Sequence, residues 1–446
     1  MTKVAIIGAG PSGLSLMLAF RAAQQNGDSI PDIVCFEKQE AIGGQWNFSW
    51  RTGVDPFGEP VHSSMYKHIW SNGPKECLEY PDYTFEDHFG HATPSFPPRQ
   101  VITDYLCSRA TKGHIDEWIR FNHVVRWVEY LPDEKTFAVS YHDLVNDHQT
   151  CEHYDYLVVA TGHFSTPSIP DVEGMDDFSG SVIHAHDFRD ARHYQGQRVL
   201  IVGGSYSAED IGSQCCKFGA EQIITSSHKK LMQANRPDHW QLKPILTKLS
   251  DDTVQFQDGT TANIDSIILC TGYRHHFPFL EESLRLKTRN RLWIPNLYWG
   301  VCCHWNPQLM YLGMQDQSYS FTMFDAQAWF VRDVISGKRS LPSLEEMQRH
   351  TLLWLEKEKR LETDEEKIRF QGNYLKELIQ QTNYPSIEIE AINRMLIDFM
   401  HNAHWNILGY RDKNYASVMT GNPSPSYRLK WFENMTDEQL DLNSSN

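Results

Sequence analysis

The stretch Val4-Ala-Ile-Ile7-Gly8-Ala-Gly10-Pro-Ser12-Gly13 decides the fold. Four apolar residues run straight into a Gly-x-Gly-x-x-Gly turn, and a helix is predicted through Leu14 to Gln25. Strand, glycine turn and helix in that order mark a dinucleotide-binding α/β unit. Gly8 makes the tight turn, Gly10 lets backbone approach a pyrophosphate, and Gly13 lets the helix pack on the strand. The diphosphate then lies on the helix N-terminus, where free N–H groups and the dipole favour negative charge; Ser12 adds a hydroxyl. The next predicted strand, Ile33-Val-Cys-Phe-Glu37, ends in a carboxylate. At that place it accepts hydrogen bonds from ribose hydroxyls and repels a 2′-phosphate, so this site suits FAD or NAD rather than NADP. Beyond it, the glycines of Gly43-Gly44-Gln45-Trp46 let the chain pass close to a planar ligand, which Gln45 and Trp46 could line.

The pattern occurs twice. Val199 to Val202 leads into Gly203-Gly204-Ser205-Tyr206-Ser207-Ala208, with a helix predicted from about Glu209 to Phe218. Ser205 replaces the central glycine, so its side chain must stay clear of a pyrophosphate or bond to it. No acidic residue follows the next strand, Gln222 to Thr225; Ser226-Ser227-His228-Lys229-Lys230 offers hydroxyls and positive charge, which suits a 2′-phosphate. FAD in the first site and NADPH in the second is the simplest assignment. Each copy later meets a strand ending in a small-residue turn, Tyr156 to Gly162 and Ile267 to Gly272. The fold class is therefore α/β, with two Rossmann-like dinucleotide-binding domains, the NADP domain inserted into the FAD domain. Pro-rich Ser165 to Pro170 forms the connector and His275-His276-Phe-Pro278 the return. The predicted boundaries are 1–164 and 276–446 for the two parts of the FAD domain and 165–275 for the NADP domain. After Pro342 the chain turns to charged amphipathic helix, Leu344 to Arg360 and Glu365 to Gln381, giving a helical C-terminal region.

Composition narrows the class. A chain of 446 residues accommodates two or three domains at about 150 residues each. Lys and Arg number 41 against 57 Asp and Glu, a formal net charge of −16. With no basic run, this argues against nucleic acid and against an anionic membrane surface. No apolar stretch approaches the ~20 residues that span a bilayer. Aromatics at 12% are too many for a disordered chain. The nine cysteines include no CxxC pair, and the adjacent Cys215-Cys216 and Cys302-Cys303 are poorly placed for disulfides. They read as reduced thiols of a soluble cytoplasmic protein with no zinc framework. His401 and His404 could share a helix face, but no carboxylate or cysteine accompanies them, so no metal site is expected. Aromatic residues in the C-terminal half point to a homodimer.

Longer motifs refine the reading. Phe178-x-Gly180-x-x-x-His184-x-x-x-Phe188 matches the FxGxxxHxxx(Y/F) signature, and Trp70-Ser-Asn72-Gly-Pro-Lys75-Glu76, Gly313-Met-Gln315-Asp-Gln317 and Met323-Phe-Asp-Ala-Gln-Ala-Trp329 accompany it. In these stretches the chain resembles the flavin-containing monooxygenases, and over nearly its whole length the bacterial trimethylamine monooxygenases. The resemblance implies NADPH- and dioxygen-dependent oxygenation of small soft nucleophiles through a flavin 4a-hydroperoxide. Trimethylamine is the first expected substrate, with other tertiary amines, sulfides and indole behind it. It also implies that Gln39, Gln45, Trp46, His62, Val125 and Gln315 touch FAD, and that Trp70, Ser205, Tyr206, Ser207 and Arg411 touch the nicotinamide coenzyme. Asn72 would be the catalytic residue, holding the oxygenated flavin and the nicotinamide end. A neutral amide there can donate and accept without a proton transfer that releases hydrogen peroxide. Tyr206, beside the emerging nicotinamide, would gate access to the flavin.

Two departures stand out. The family usually has Arg-Thr where this chain has His228-Lys229, which weakens the expected preference for NADPH. Relatives tend to carry Trp where Ser318 stands, so Ser318 would enlarge the substrate cavity. A Baeyer–Villiger oxygenase of ketones shares the cofactor features; it typically follows the signature with Trp-Pro or Trp-Asp, whereas this chain has Phe188-Arg189. A flavoprotein disulfide reductase needs a CxxC or CxxxxC pair, which is absent.

Overall fold

A mixed sheet built from distant parts of the chain, parallel from Leu309–Tyr311 to Ile119–Arg120 and antiparallel at its other edge, carries the first glycine turn. The computed structural model describes residues 2–228 and 235–436. Its seven strands run in the order Leu297–Tyr298, Cys302–Cys303, Leu309–Tyr311, Tyr156–Val159, Lys3–Ile7, Asp32–Phe36 and Ile119–Arg120. A second, five-stranded parallel sheet is ordered Trp240–Lys243, Gln222–Ser226, Arg198–Val202, Ser266–Leu269 and Ser181–His184. All its strands fall between Tyr156–Val159 and Leu297–Tyr298 of the first sheet, so one unit is inserted in the other.

The two units repeat one local construction. Gly8 donates its N–H to the Phe36 carbonyl at 2.8 Å, and Gly203 donates to Ser226 at 2.9 Å. Ala160 donates to Ile7 at 2.9 Å, and Cys270 to Val202 at 2.8 Å. Each glycine has positive φ, and a Cβ would stand 2.8 Å from the Ala160 carbonyl oxygen at Gly8 and 2.3 Å from that of Cys270 at Gly203. Both positions therefore admit glycine alone without backbone movement.

Alternation along Lys3–Ile7 organises the core. Val4 and Ile6 enter the cluster shared with helices Pro11–Gln25 and Phe321–Ile335, while Ala5 and Ile7 point to the opposite face. That face is covered by a three-stranded antiparallel meander, His123–Leu131, Thr136–Asp143 and His148–Tyr154. Capping boxes at Ser343/Glu346 and Thr363/Glu366 open helices Leu344–Lys359 and Asp364–Ile379, close to the predicted limits. The helix in the second unit starts at Tyr206 rather than Glu209, because Ser205 is already its N-cap. The meander and the helices Arg99–Lys112, Phe321–Ile335 and Ile389–Trp405 were not read from the sequence. Seven of the nine thiols are buried, Cys107 is half-buried and Cys151 is exposed, all unbridged. Among the described residues no helix is long and apolar enough to cross a membrane.

Candidate active site

A single cleft of about 1670 Å³ joins the two glycine turns. Gly8, Gly10, Ser12, Glu37, Gln39, Gln45, Trp46, His62 and Val125 line it from the first unit, and Ser205, Tyr206, Ser207 and His228 from the second. Asn72, Gly73 and Pro74 reach it from the loop between them. Lys229 and Lys230 lie outside the described residues.

Glu37 is buried, yet both of its oxygens are held. The Ala9 N–H donates to one at 2.7 Å and the Gln39 N–H to the other at 2.9 Å. Burial raises its pKa and these bonds oppose the rise. Each carboxylate oxygen keeps a further lone pair for a ligand hydroxyl. Ser205, Tyr206 and Ser207 are exposed at the helix start, and the Ser205 side chain makes no cap bond, so it is available to a ligand. Gln45 lines the cleft and also braces its wall. Its amide donates to the His62 carbonyl at 3.1 Å and the Phe164 carbonyl at 2.9 Å, and accepts from the Ser64 N–H at 2.9 Å and hydroxyl at 3.2 Å. It shapes the wall by clamping three segments together.

Gly13, Trp70, Gln315 and Arg411 do not reach the cleft surface. Gly13 packs against the Gly8 carbonyl, where a Cβ would stand 2.0 Å away. Trp70 is buried against Tyr427, ring centroids 4.6 Å apart. Gln315 is buried; its Oε1 accepts from Gln327 at 3.0 Å, and its Nε2 faces the Gly300 carbonyl at 3.5 Å. The Arg411 guanidinium pairs with the Asp210 carboxylate, both buried, and its Nε donates to the Ser71 carbonyl at 3.3 Å. Trp70, Gln315 and Arg411 stand behind the cleft wall and support it.

The Asn72 turn is fixed from several sides, while the Asn72 side chain is exposed in the cleft. The Ser71 N–H donates to the Pro97 carbonyl at 2.9 Å, and its hydroxyl to the Gly73 carbonyl at 2.5 Å. Below the turn, the buried Glu76 Oε1 accepts from Lys75 Nζ at 3.1 Å, Ser95 Oγ at 2.8 Å and Ser424 Oγ at 2.6 Å. No sequence signal marked this network, because Ser424 lies 348 residues away. Arg189, the residue after the signature, ties the inserted unit to the first. Its guanidinium donates to the Arg51 carbonyl at 3.2 and 2.8 Å and to the Ser63 carbonyl at 3.1 Å, besides those of His186 and Phe188.

Burial holds several imidazoles below the usual His range: His62, His184 and His350 at about 4, and His163 at about 3. Repulsion from Lys38 adds to the effect at His62, and from His275 at His163. Folded, these rings stay neutral near pH 5, whereas in the unfolded chain they take up protons below about pH 6.5. Their contribution to stability is complete above pH 6.5 and is lost as pH falls toward 4. Melting temperature is therefore expected to drop from pH 7 to pH 5. In His350→Phe, which removes a ring 4.4 Å from that of Trp299, the drop should be shallower; parallel curves would contradict this origin. Among the described residues no group of three or more His, Cys, Asp or Glu side chains is arranged to hold a metal ion.

Comparison with known proteins adds the family. The model of the flavin-binding monooxygenase-like family matches residues 1–240 and 238–401. The chain is 50% identical over 437 residues to a trimethylamine monooxygenase of Methylocella silvestris, covering 98% of this chain and 97% of that protein. It is 49% identical over 441 residues to one of Roseovarius nubinhibens, covering 98% of each. The crystal structure of Tmm from Pelagibacter sp. strain HTCC7211 matches with a TM-score of 0.96 at 48% identity, covering 98% of this chain and 99% of that one. Two glycine turns facing one cleft, together with likeness along almost the entire length, establish that the chain belongs to the flavin-binding monooxygenase-like family and is a flavin monooxygenase.

Proposed function

We propose that the protein uses FAD, NADPH and dioxygen to convert trimethylamine to its N-oxide, with other tertiary amines and sulfides as further substrates. The observation that carries this is the exposed Asn72 amide in a cleft running from Glu37 to Ser205 and His228. Relatives about half identical over nearly full length support the substrate.

The residues present fit both groups. A Cβ at Gly10 would meet no heavy atom closer than Gly44 Cα at 3.5 Å, and Gly10 lines the cleft ahead of helix Pro11–Gln25, whose first N–H groups would receive a diphosphate. Glu37 would accept the adenosine ribose hydroxyls. Ser205, Ser207 and His228 would hold the phosphates of the second nucleotide. Arg411 Nη1 and Asp210 Oδ2 are buried without a hydrogen-bond partner, and Asp210 lines the cleft. The unpartnered Asp210 Oδ2 fits a donor such as the amide N–H of nicotinamide. The chemistry FAD supplies when bound is acceptance of hydride from NADPH and activation of dioxygen as an electrophilic oxygen donor.

The protein's part is to orient and to withhold protons. Asn72 offers an N–H donor and a carbonyl acceptor and carries no proton that it can lose at neutral pH. Burial keeps the His62 ring neutral at neutral pH. The Asn72 turn is pre-set by Ser71, Glu76 and Arg411, so little reorganisation accompanies the reaction.

Asn72→Ala should retain FAD and keep oxidising NADPH, while N-oxide per NADPH falls at least tenfold and hydrogen peroxide rises to match. Flavin content by absorbance, product by mass spectrometry and peroxide by a coupled assay check this. Normal N-oxide yield from the variant would refute the role.

A further inference from the structure

The segment after the strand Leu309–Tyr311 forms one side of the cleft, with Gly313, Asp316, Gln317 and Ser318 on its surface. It abuts the first glycine turn: a Cβ at Gly313 would stand 2.5 Å from the Ser12 hydroxyl. The φ of Gly313 is positive as well, so the approach is one that glycine alone permits. No regular ladder holds this stretch of backbone. Its hydrogen bonds go instead to buried side chains on two different helices.

Gln327, on the helix Phe321–Ile335, is fully buried. Its Oε1 accepts the Gly313 N–H at 3.0 Å, and its Nε2 donates to Gln315 Oε1 at 3.0 Å and to the Tyr374 hydroxyl at 2.9 Å. The Gly313 N–H can only donate, so the amide is fixed one way round. Tyr374 in turn donates to the Trp299 carbonyl at 2.9 Å. Gln371, buried on the helix Asp364–Ile379, grips the other half of the segment. Its Oε1 accepts the N–H groups of Ser318 at 2.6 Å and Tyr319 at 3.3 Å, and its Nε2 donates to the Asp316 carbonyl. Between the two grips, His275 Nε2 donates to the Met314 carbonyl at 3.1 Å. Burying an amide beside the hydrophobic cluster of Trp299 and Tyr374 is costly unless its polar atoms are bonded, as those of Gln327 are.

We propose that Gln327 is the positioning residue of the flavin pocket: through Gly313 and Gln315 it holds the cleft wall against Ser12 and so sets the shape that FAD must fit, without touching the ligand. The inference rests on the FAD-dependent oxygenase reading above.

Gln327→Glu tests it at nearly constant volume. Ionised, the new side chain still accepts from Gly313 but sets a carboxylate oxygen against Gln315 Oε1. Turning Gln315 over gives no relief, because its oxygen would then face the Gly300 carbonyl, which lies 3.5 Å from Nε2. Protonation restores one donor, and a buried carboxyl with no cation beside it titrates at about pH 8. Of the groups bonded to Gln327 only Tyr374 titrates, and burial pushes its pKa up, so it stays neutral throughout. Asp325, on the same helix, is engaged by Arg109.

Full-length native protein, Gln327→Glu and Gln327→Met are stripped of flavin and titrated with FAD at about pH 6 and about pH 9, on either side of that titration. Relative to the native protein at the same pH, Gln327→Glu is expected to bind FAD nearly normally at the lower value. At the higher one it should bind about tenfold more weakly, the factor for one buried hydrogen bond. Gln327→Met should be weakened at both. Should Gln327→Glu fail to fold, Gln371→Glu reads the same reversal at the other grip. Equal affinity of all three proteins at both pH values overturns the proposal. So does a loss in Gln327→Glu that acidification does not reverse, which is what a merely structural role gives. N-oxide formation by the native protein separates the two readings. Native N-oxide with a flat FAD series overturns the positioning role and leaves the oxygenase reading standing. A pH-reversible FAD series with no N-oxide from the native protein sustains the role and overturns the oxygenase reading.

Discussion

Gly13→Ala is expected to yield protein without flavin and with a clearly lowered melting temperature. An ideal Cβ at Gly13 lies 2.0 Å from the Gly8 carbonyl oxygen and 3.1 Å from its carbon. Both are backbone atoms, so relief requires the helix Pro11–Gln25 to move off the strand Lys3–Ile7. That helix is buried along Leu14, Leu16, Met17 and Phe20, so the movement opens the core. Overpacking of this kind costs about 3 kcal/mol, which lowers Tm by roughly 6–12 °C in units of this size. Gly10→Ala provides the contrast. Its Cβ would meet nothing closer than Gly44 Cα at 3.5 Å, so the flavin-free fold should keep its Tm. The added methyl nevertheless projects into the nucleotide cleft, and flavin affinity should drop. Calorimetry and flavin absorbance separate the two cases. A Gly13→Ala protein that is yellow and melts normally would show that helix and strand are not packed as described.

Arg411→Met is the second large effect. The Arg411–Asp210 pair is almost fully buried and links three regions: the helix Tyr206–Lys217, the turn Tyr410–Asp412 and, through the Ser71 carbonyl, the Asn72 loop. Removing the guanidinium leaves a buried carboxylate without its partner, which costs about 3–5 kcal/mol. Burial already raises the Asp210 pKa and Arg411 holds it down, so the variant's carboxyl rises further. A carboxyl with a raised folded pKa gains stability as pH falls, so the deficit of the variant should shrink toward acid pH. The double variant Arg411→Met, Asp210→Leu removes both charges and should be more stable than Arg411→Met alone. Denaturant unfolding of the four proteins gives the coupling energy, and strictly additive losses would exclude the pair as a unit.

What the sequence disclosed was local. The turns at Gly8 and Gly203 sit within a few residues of the strands and helices they join, and each type of residue there answers one steric demand. Glu37 was legible for the same reason, standing at the end of the strand beside the turn. What escaped depends on contacts between distant segments. Arg411 meets Asp210 across 201 positions, and Ser424 meets Glu76 across 348; no spacing rule connects them. The meander from His123 to Tyr154 was missed because several of its outward residues are charged and its turns lack a strong glycine signal. Trp70 shows the limit for a single side chain. An aromatic residue near a ligand loop can face the cleft or the core, and the Trp70 ring packs inward against Tyr427.

Arg189 carries a mechanical consequence. A rigid-body swing of the inserted unit away from the segment 51–63 would break all three guanidinium bonds to Arg51 and Ser63 in one step. A dry cation would then be stranded beside His186 and Phe188, to whose carbonyls it stays attached. Arg189 is thus one latch across the boundary between the units, alongside the Arg411–Asp210 pair, so the width of the cleft between the two glycine turns is held by protein contacts alone.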